Sequence, residues 1–248
     1  LEKTLIKKYN AMKIEFEMKL QSWLYEVATT CDKYAKEIDL DFYPFQSPYP
    51  QSNIELLIVA INPGGSKSYK EMLEEKSKEF GKVIEARTSD MLAYDVNMYA
   101  LKPQWEIDNK LKGNDVMRAK LKRVFVTEHL RNLLKESTII NLYYFNTQNT
   151  KTLVKLTNTI KEFCEKKTFE FIEITKPQKI LFFTSDNYTL SKCGVQIKSI
   201  RSIGNYVKEG ILKNGQYVLA LPNPGFYRAY SNNNGKLIGD HIEKYINN

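Results

Sequence analysis

The sequence predicts an α/β protein, a three-layer α/β/α sandwich around a central, mostly parallel four-stranded sheet. Three observations carry that expectation. Residues 56–61 (LLIVAI) form a continuous apolar run of strand length, the pattern of a strand buried on both faces. Residues 217–221 (YVLAL) form a second such run, and 138–142 (TIINL) and 179–183 (KILFF) supply two more. Helical patterns separate these runs, and strands alternating with helices build a parallel sheet through right-handed crossovers, with helices on both sides. At 248 residues the chain is long enough for one sizeable core, so 1–248 reads as a single domain with 1–40 as a helical extension packed on it.

In order along the chain, residues 1–36 place Leu5, Ile6, Tyr9, Met12, Ile14, Phe16, Met18, Leu20, Trp23, Leu24 and Val27 among Lys and Glu, which predicts one or two amphipathic helices. Residues 41–53, rich in aromatics and prolines, cannot be a regular helix and read as an ordered connection packed on the surface, the alternative being that one aromatic lines the cleft. The first strand stops at Asn62-Pro63-Gly64-Gly65, because proline cannot continue a ladder and glycine admits close approach. Residues 67–113 are long for a connection, with Ser66 or Ser68 placed to cap a helix beginning near Tyr69. Residues 91–105 gather Met91, Leu92, Tyr94, Met98, Tyr99, Leu101 and Trp105, a cluster that fits either core or a substrate pocket. Helices are predicted over 115–135 and 152–175, the latter with Lys161, Lys166 and Lys167 on a solvated face. Residues 195–214 fit a β-hairpin or an irregular excursion, and a helix closes the chain through Ile246.

Composition narrows the partners. Lys plus Arg number 37 against 29 Asp plus Glu, a net charge of +8, which favours a polyanionic partner through counterion release. Cys31, Cys164 and Cys193 are far apart with no Cys-x-x-Cys pairing, which argues against a disulfide framework or structural zinc and suits a reducing cytoplasm. With only His129 and His241, a multi-histidine metal centre is not expected. No run approaches the roughly 20 apolar residues of a membrane span, and no signal-peptide pattern opens the sequence. A cytoplasmic monomer without metal, cofactor or membrane is the expectation.

The strand ends carry the functional signal. Asn62-Pro63-Gly64 follows one apolar run, Asn223-Pro224-Gly225 another, and Asn141 closes a third, so three asparagines are delivered to one edge, where open α/β sheets bind ligands. This set resembles the uracil-DNA glycosylase superfamily, and within it the mismatch-specific branch. The first motif of that branch reads Gly-Ile-Asn-Pro-Gly, which Ala60-Ile61-Asn62-Pro63-Gly64 matches except at its first position. The second family motif, His-Pro-Ser or Asn-Pro-Ser, is matched by Asn223-Pro224 but not by Gly225. The resemblance runs from about Leu56 to the C-terminus, and the three cysteines set the chain apart from the four-cysteine iron–sulfur branches.

The resemblance implies a uracil-DNA glycosylase-like fold and a monofunctional DNA glycosylase. Such an enzyme flips out a damaged, mismatched or modified pyrimidine and hydrolyses its N-glycosidic bond, leaving an abasic site. Carried over residue by residue, Asn62 orients the attacking water, Asn223 donates to the leaving base, and Asn141 reads the base edge. Tyr94, Tyr99, Trp105 and Tyr143 are candidates to stack on or line the base. Gly64, Gly65, Ser66, Gly225, Phe226, Tyr227 and Arg228 are expected to meet DNA, an aromatic or Arg228 filling the gap left by the flipped base. An amide at position 62 cannot act as a general base, so slow turnover and an easily leaving base are expected. Three alternatives stay open: a glycosylase specialised for hypermodified cytosine in phage DNA, a non-catalytic DNA-binding protein on the same fold, and a hydrolase of small nucleotides.

Overall fold

The computed structural model describes residues 2–47, 49–50, 54–64, 67–93, 121, 123–147, 150–224 and 227–248. The apolar run before Asn62 is strand β1 (Leu56–Ala60), buried at every position. It lies between β2 (Thr138–Asn141) and β3 (Lys179–Phe182), and β3 pairs in turn with β6 (Tyr217–Ala220), all in parallel. The α/β class holds, but the sheet is mixed and, among the described residues, has six strands in the order β2-β1-β3-β6-β5-β4. The added pair, β4 (Arg201–Ser202) and β5 (Lys208–Ile211), is antiparallel and comes from the 195–214 stretch. Glycine permits this closure, since a Cβ at Gly210 would lie 2.7 Å from a Val195 methyl.

Alternation along β1 sends its residues into two cores. Leu57 and Val59 join α1 (Glu2–Ile38), α2 (Tyr69–Phe80), α4 (Asn158–Thr175) and α5 (Asn187–Lys192) on one face. Leu56, Ile58 and Ala60 join α3 (Glu128–Glu136) and α6 (Asn232–Asn247) on the other. The N-terminal segment is one helix, anchored by Trp23, which packs among Phe45, Tyr144 and Phe171 and donates its indole N–H to the Lys167 carbonyl at 2.8 Å. Cys31 of α1 and Cys164 of α4 meet as buried free thiols, and burial pushes the Cys31 thiol well above its ordinary range. Among the described residues no helix is long and apolar enough to cross a membrane.

Four local expectations change. The 41–47 segment is not a surface connection: Phe42 and Phe45 are buried, and its backbone forms antiparallel bridges with Phe145 and Ile140. The reason is that β2 ends the parallel ladder, and this segment covers its open edge through Tyr43 N–H to Tyr144 O, Gln46 N–H to Ile139 O and Asn141 N–H to Pro44 O. The helix expected over 115–135 is interrupted: Leu121 is helical, residues 123–127 are not, and α3 starts afresh where Thr127 caps it by accepting from Leu130 N–H; 115–120 and 122 lie outside the described residues. The helix expected from 152 begins instead at α4, where Thr157 is the cap, after a 3₁₀ turn (Thr150–Lys155). Lys167 is 3% exposed rather than solvated, held by Glu26 and Glu170. By contrast Ser68 caps α2 as expected, in a capping box with Glu71.

Candidate functional site

Because β2, β1, β3 and β6 run parallel, the residues that follow them share one edge of the sheet. After β1 comes Asn62. Its Nδ2 donates to Thr147 Oγ1 at 2.6 Å, to the Pro63 carbonyl at 3.0 Å and to the Thr147 carbonyl at 3.2 Å. Carbonyl oxygens only accept, so these contacts decide which end of the amide is nitrogen. Oδ1 is therefore the free end, an acceptor without a partner among the described residues. Thr147, itself buried, is locked in turn by its N–H to Pro63 O. Gly64 is exposed, and a Cβ there would meet nothing within 4 Å, so the chain leaves room above this turn.

After β2 the side chains are arranged otherwise than the sequence suggests. Asn141 is fully buried: Nδ2 donates to Tyr43 O at 2.8 Å and Oδ1 accepts from Gln46 Nε2 at 2.5 Å. Its amide braces the 41–47 segment, so the base-reading role expected of Asn141 is not one it can perform in this arrangement. Tyr143 is also closed off, 8% exposed, with its hydroxyl donating to Glu165 at 3.0 Å and its acidity suppressed by burial and that carboxylate. Gln46, half-buried, extends the chain of amides: its Nε2 also donates to the Asn62 carbonyl at 3.3 Å.

Beneath this segment lies an ion pair with no exposure at either partner. Arg87 donates to Asp41 at 2.5 Å and to Phe42 O at 2.9 Å, and its guanidinium lies 4.0 Å from the centre of the Tyr43 ring. Burial pushes the Asp41 carboxyl above its ordinary value, while Arg87, Tyr43 and the Phe42 amide pull it back. Asn146, whose buried Oδ1 has no partner among the described residues, is tied to the same unit through its N–H to Asp41 O.

The other wall comes from β3 and β6. Asn223 is exposed just past β6, after Pro222, whose carbonyl accepts from Tyr230 OH at 2.6 Å. Since β3 lies between β1 and β6, the strands that lead to Asn62 and Asn223 are separated by two strand spacings, roughly 10 Å. The β3 end between them carries Thr184, Ser185 and Asp186. Asp186 caps α5 through Thr189, whose amide and hydroxyl hold its carboxyl below the usual range. Lys208 places an ammonium here, donating to Ser185 O at 2.5 Å and Asn187 Oδ1 at 2.7 Å. Arg228 is exposed in the 3₁₀ turn Tyr227–Tyr230.

Gly65, Ser66, Tyr94, Tyr99, Trp105, Gly225, Phe226 and the side chain of Tyr227 lie outside the described residues. The edge thus brings together Asn62, Gly64 and Asn223 of the expected residues, and withdraws Asn141 and Tyr143. Sequence reasoning missed Gln46, Thr147 and Lys208, which have no motif; only the polar Gln46 within an aromatic run hinted at a role. Two concave pockets, of ≈ 410 Å³ beside Tyr49 and ≈ 640 Å³ at the starts of β3 and β6, hold none of these groups. Among the described residues no three His, Cys, Asp or Glu side chains cluster as metal ligands. Compared with known proteins, the chain matches no family model, and no curated protein matches it significantly.

Proposed function

We propose that the chain is a DNA glycosylase of the uracil-DNA glycosylase kind, acting on a pyrimidine rotated out of the helix. The observation that carries this reading is Asn62, an amide whose nitrogen is pinned by two backbone carbonyls and Thr147 at the end of a central strand. Its Oδ1 accepts a hydrogen bond from water and aims it at the anomeric carbon. Opposite, Asn223 follows a strand two spacings from that of Asn62, and such a spacing accommodates one nucleoside. The amide of Asn223 donates to an oxygen of the base as negative charge develops there. The glycosidic C–N bond breaks, the water oxygen bonds to the sugar carbon, and the water's proton ends on the departed base. Lys208 and Arg228 supply cations for flanking phosphates, and the net charge of +8 agrees with a polyanionic partner.

One observation favours a second reading, a non-catalytic DNA-binding protein. Asp186, the carboxylate at the β3 end, is committed to capping α5, so among the described residues the strand ends offer amides and no free carboxylate as general base. Incubation with DNAs carrying uracil, mismatches or modified cytosines, followed by alkali, separates the two. Strand breaks that vanish in Asn62→Ala and Asn223→Ala support the enzyme; salt-sensitive binding with no breaks supports the binder.

A further inference from the structure

The amides along the β2 edge form a relay of fixed polarity. Tyr43 O can only accept, so Asn141 presents Nδ2 to it and Oδ1 to the other side. Facing that oxygen, Gln46 must present nitrogen, and the same nitrogen meets a second backbone carbonyl, Asn62 O. Both hydrogens of Gln46 Nε2 are thereby consumed. Oε1 is left over: it takes no hydrogen bond among the described residues, and it is not one of their buried orphaned atoms. Gln46 is half-buried and its Nε2 meets the backbone carbonyl of Asn62, so its amide lies beside the residue that carries the water-positioning group.

On the reading of the site as a glycosylase, we infer that Gln46, through Oε1 as an acceptor only, reads the base in place of the buried Asn141. A freely turning amide matches either a donor or an acceptor on its ligand, whereas one pinned through both hydrogens matches only a donor. The ligand class is therefore a pyrimidine whose edge offers N–H at this point: the imide of a uracil-like base or the exocyclic amine of a cytosine-like one. A base alkylated at that nitrogen leaves Oε1 desolvated and unpaired. Asn141 and Tyr43 O act as positioning groups, holding Gln46 in one orientation.

The test measures binding of wild-type protein to duplexes with one 2′-fluoroarabino nucleotide opposite an abasic site. There the base has no pairing partner, and the fluorine disfavours positive charge on the sugar and so blocks cleavage. Uracil is compared with N3-methyluracil, and cytosine with N4,N4-dimethylcytosine. The N–H-bearing member of at least one pair binds about tenfold more tightly, the scale of one lost hydrogen bond with an orphaned partner. In Gln46→Met, checked to be folded, that preference disappears. Equal affinity within both pairs in wild type overturns the inference, whether or not the variant folds; so does a preference that survives in folded Gln46→Met. Alkali-revealed cleavage of the ordinary deoxynucleotide duplexes reports separately on the glycosylase reading. Preference without cleavage keeps Gln46 as reader and removes the catalysis, and cleavage without preference does the reverse.

Discussion

Replacing Asn141 by leucine separates a bracing side chain from a ligand-reading one. The amide is fully buried and makes two contacts, to Tyr43 O at 2.8 Å and from Gln46 Nε2 at 2.5 Å. Leucine has nearly the same volume but removes both. Gln46 can turn its freed N–H towards water, so that loss costs about 1 kcal/mol, while the orphaned Tyr43 carbonyl costs about 1–3 kcal/mol more. The total is about 2–4 kcal/mol. A chain of this size loses about 2–4 °C of Tm per kcal/mol, so Tm falls by about 5–15 °C. Urea denaturation followed by circular dichroism gives the free energy, and a thermal melt gives Tm. A variant as stable as wild type that loses base discrimination would refute the assignment, because the side chain would then be free and turned to ligand.

Three further predictions rest on the same region and on the far end of the sheet. Arg87→Met leaves the Asp41 carboxylate buried without its cation and costs about 3–5 kcal/mol, much of which returns in the double variant Arg87→Met/Asp41→Leu, as a double-mutant denaturation cycle will read. Thr147→Val removes the 2.6 Å contact that helps to fix Asn62; stability changes by about 1 kcal/mol, and kcat on the cleaved substrate falls about tenfold with KM unchanged. Tyr245, whose hydroxyl is bonded to Ile180 and to Tyr217 O, has its pKa pushed up to about 12 by burial. A phenol that holds its proton longer in the native state than in the unfolded chain stabilises fully below pH 10. That contribution, about 2–3 kcal/mol, is lost as pH rises towards 12. Tyr245→Phe therefore flattens this part of the alkaline unfolding curve.

The parts of the fold that are legible in the sequence are those in which local chemistry and tertiary demand agree. Residues 56–61 are apolar without interruption because β1 is covered on both faces, and Ser68 with Glu71 is a cap wherever the helix lies. The site is legible as far as strand ends go, since Asn-Pro-Gly after an apolar run places Asn62 and Asn223 on one edge. What it conceals is the partner of each amide. Asn141 looks like a third presented side chain, but its role depends on Tyr43 and Gln46, more than ninety positions earlier. Phe42 and Phe45 sit among prolines, which signals a loop, while their burial follows from the open edge of β2, which only the assembled sheet possesses. Lys167 falls within an ordinary helical charge pattern, and its burial is set by Glu26 of α1, in a helix remote in sequence. The helix over 115–135 is broken at 123–127 for a local reason, because Thr127 is a better cap than an interior residue.

The central claim is that the oriented amides at the strand ends break a glycosidic bond. Alkali treatment after incubation of the protein with duplexes carrying uracil, mismatches and modified cytosines tests it most directly. The account predicts slow cleavage of one substrate at the position of the base, abolished in Asn62→Ala and in Asn223→Ala while both variants stay folded. Cleavage that persists in folded Asn62→Ala would contradict the role given to its Oδ1. The absence of cleavage from every duplex, beside intact salt-sensitive binding, would contradict the enzyme itself.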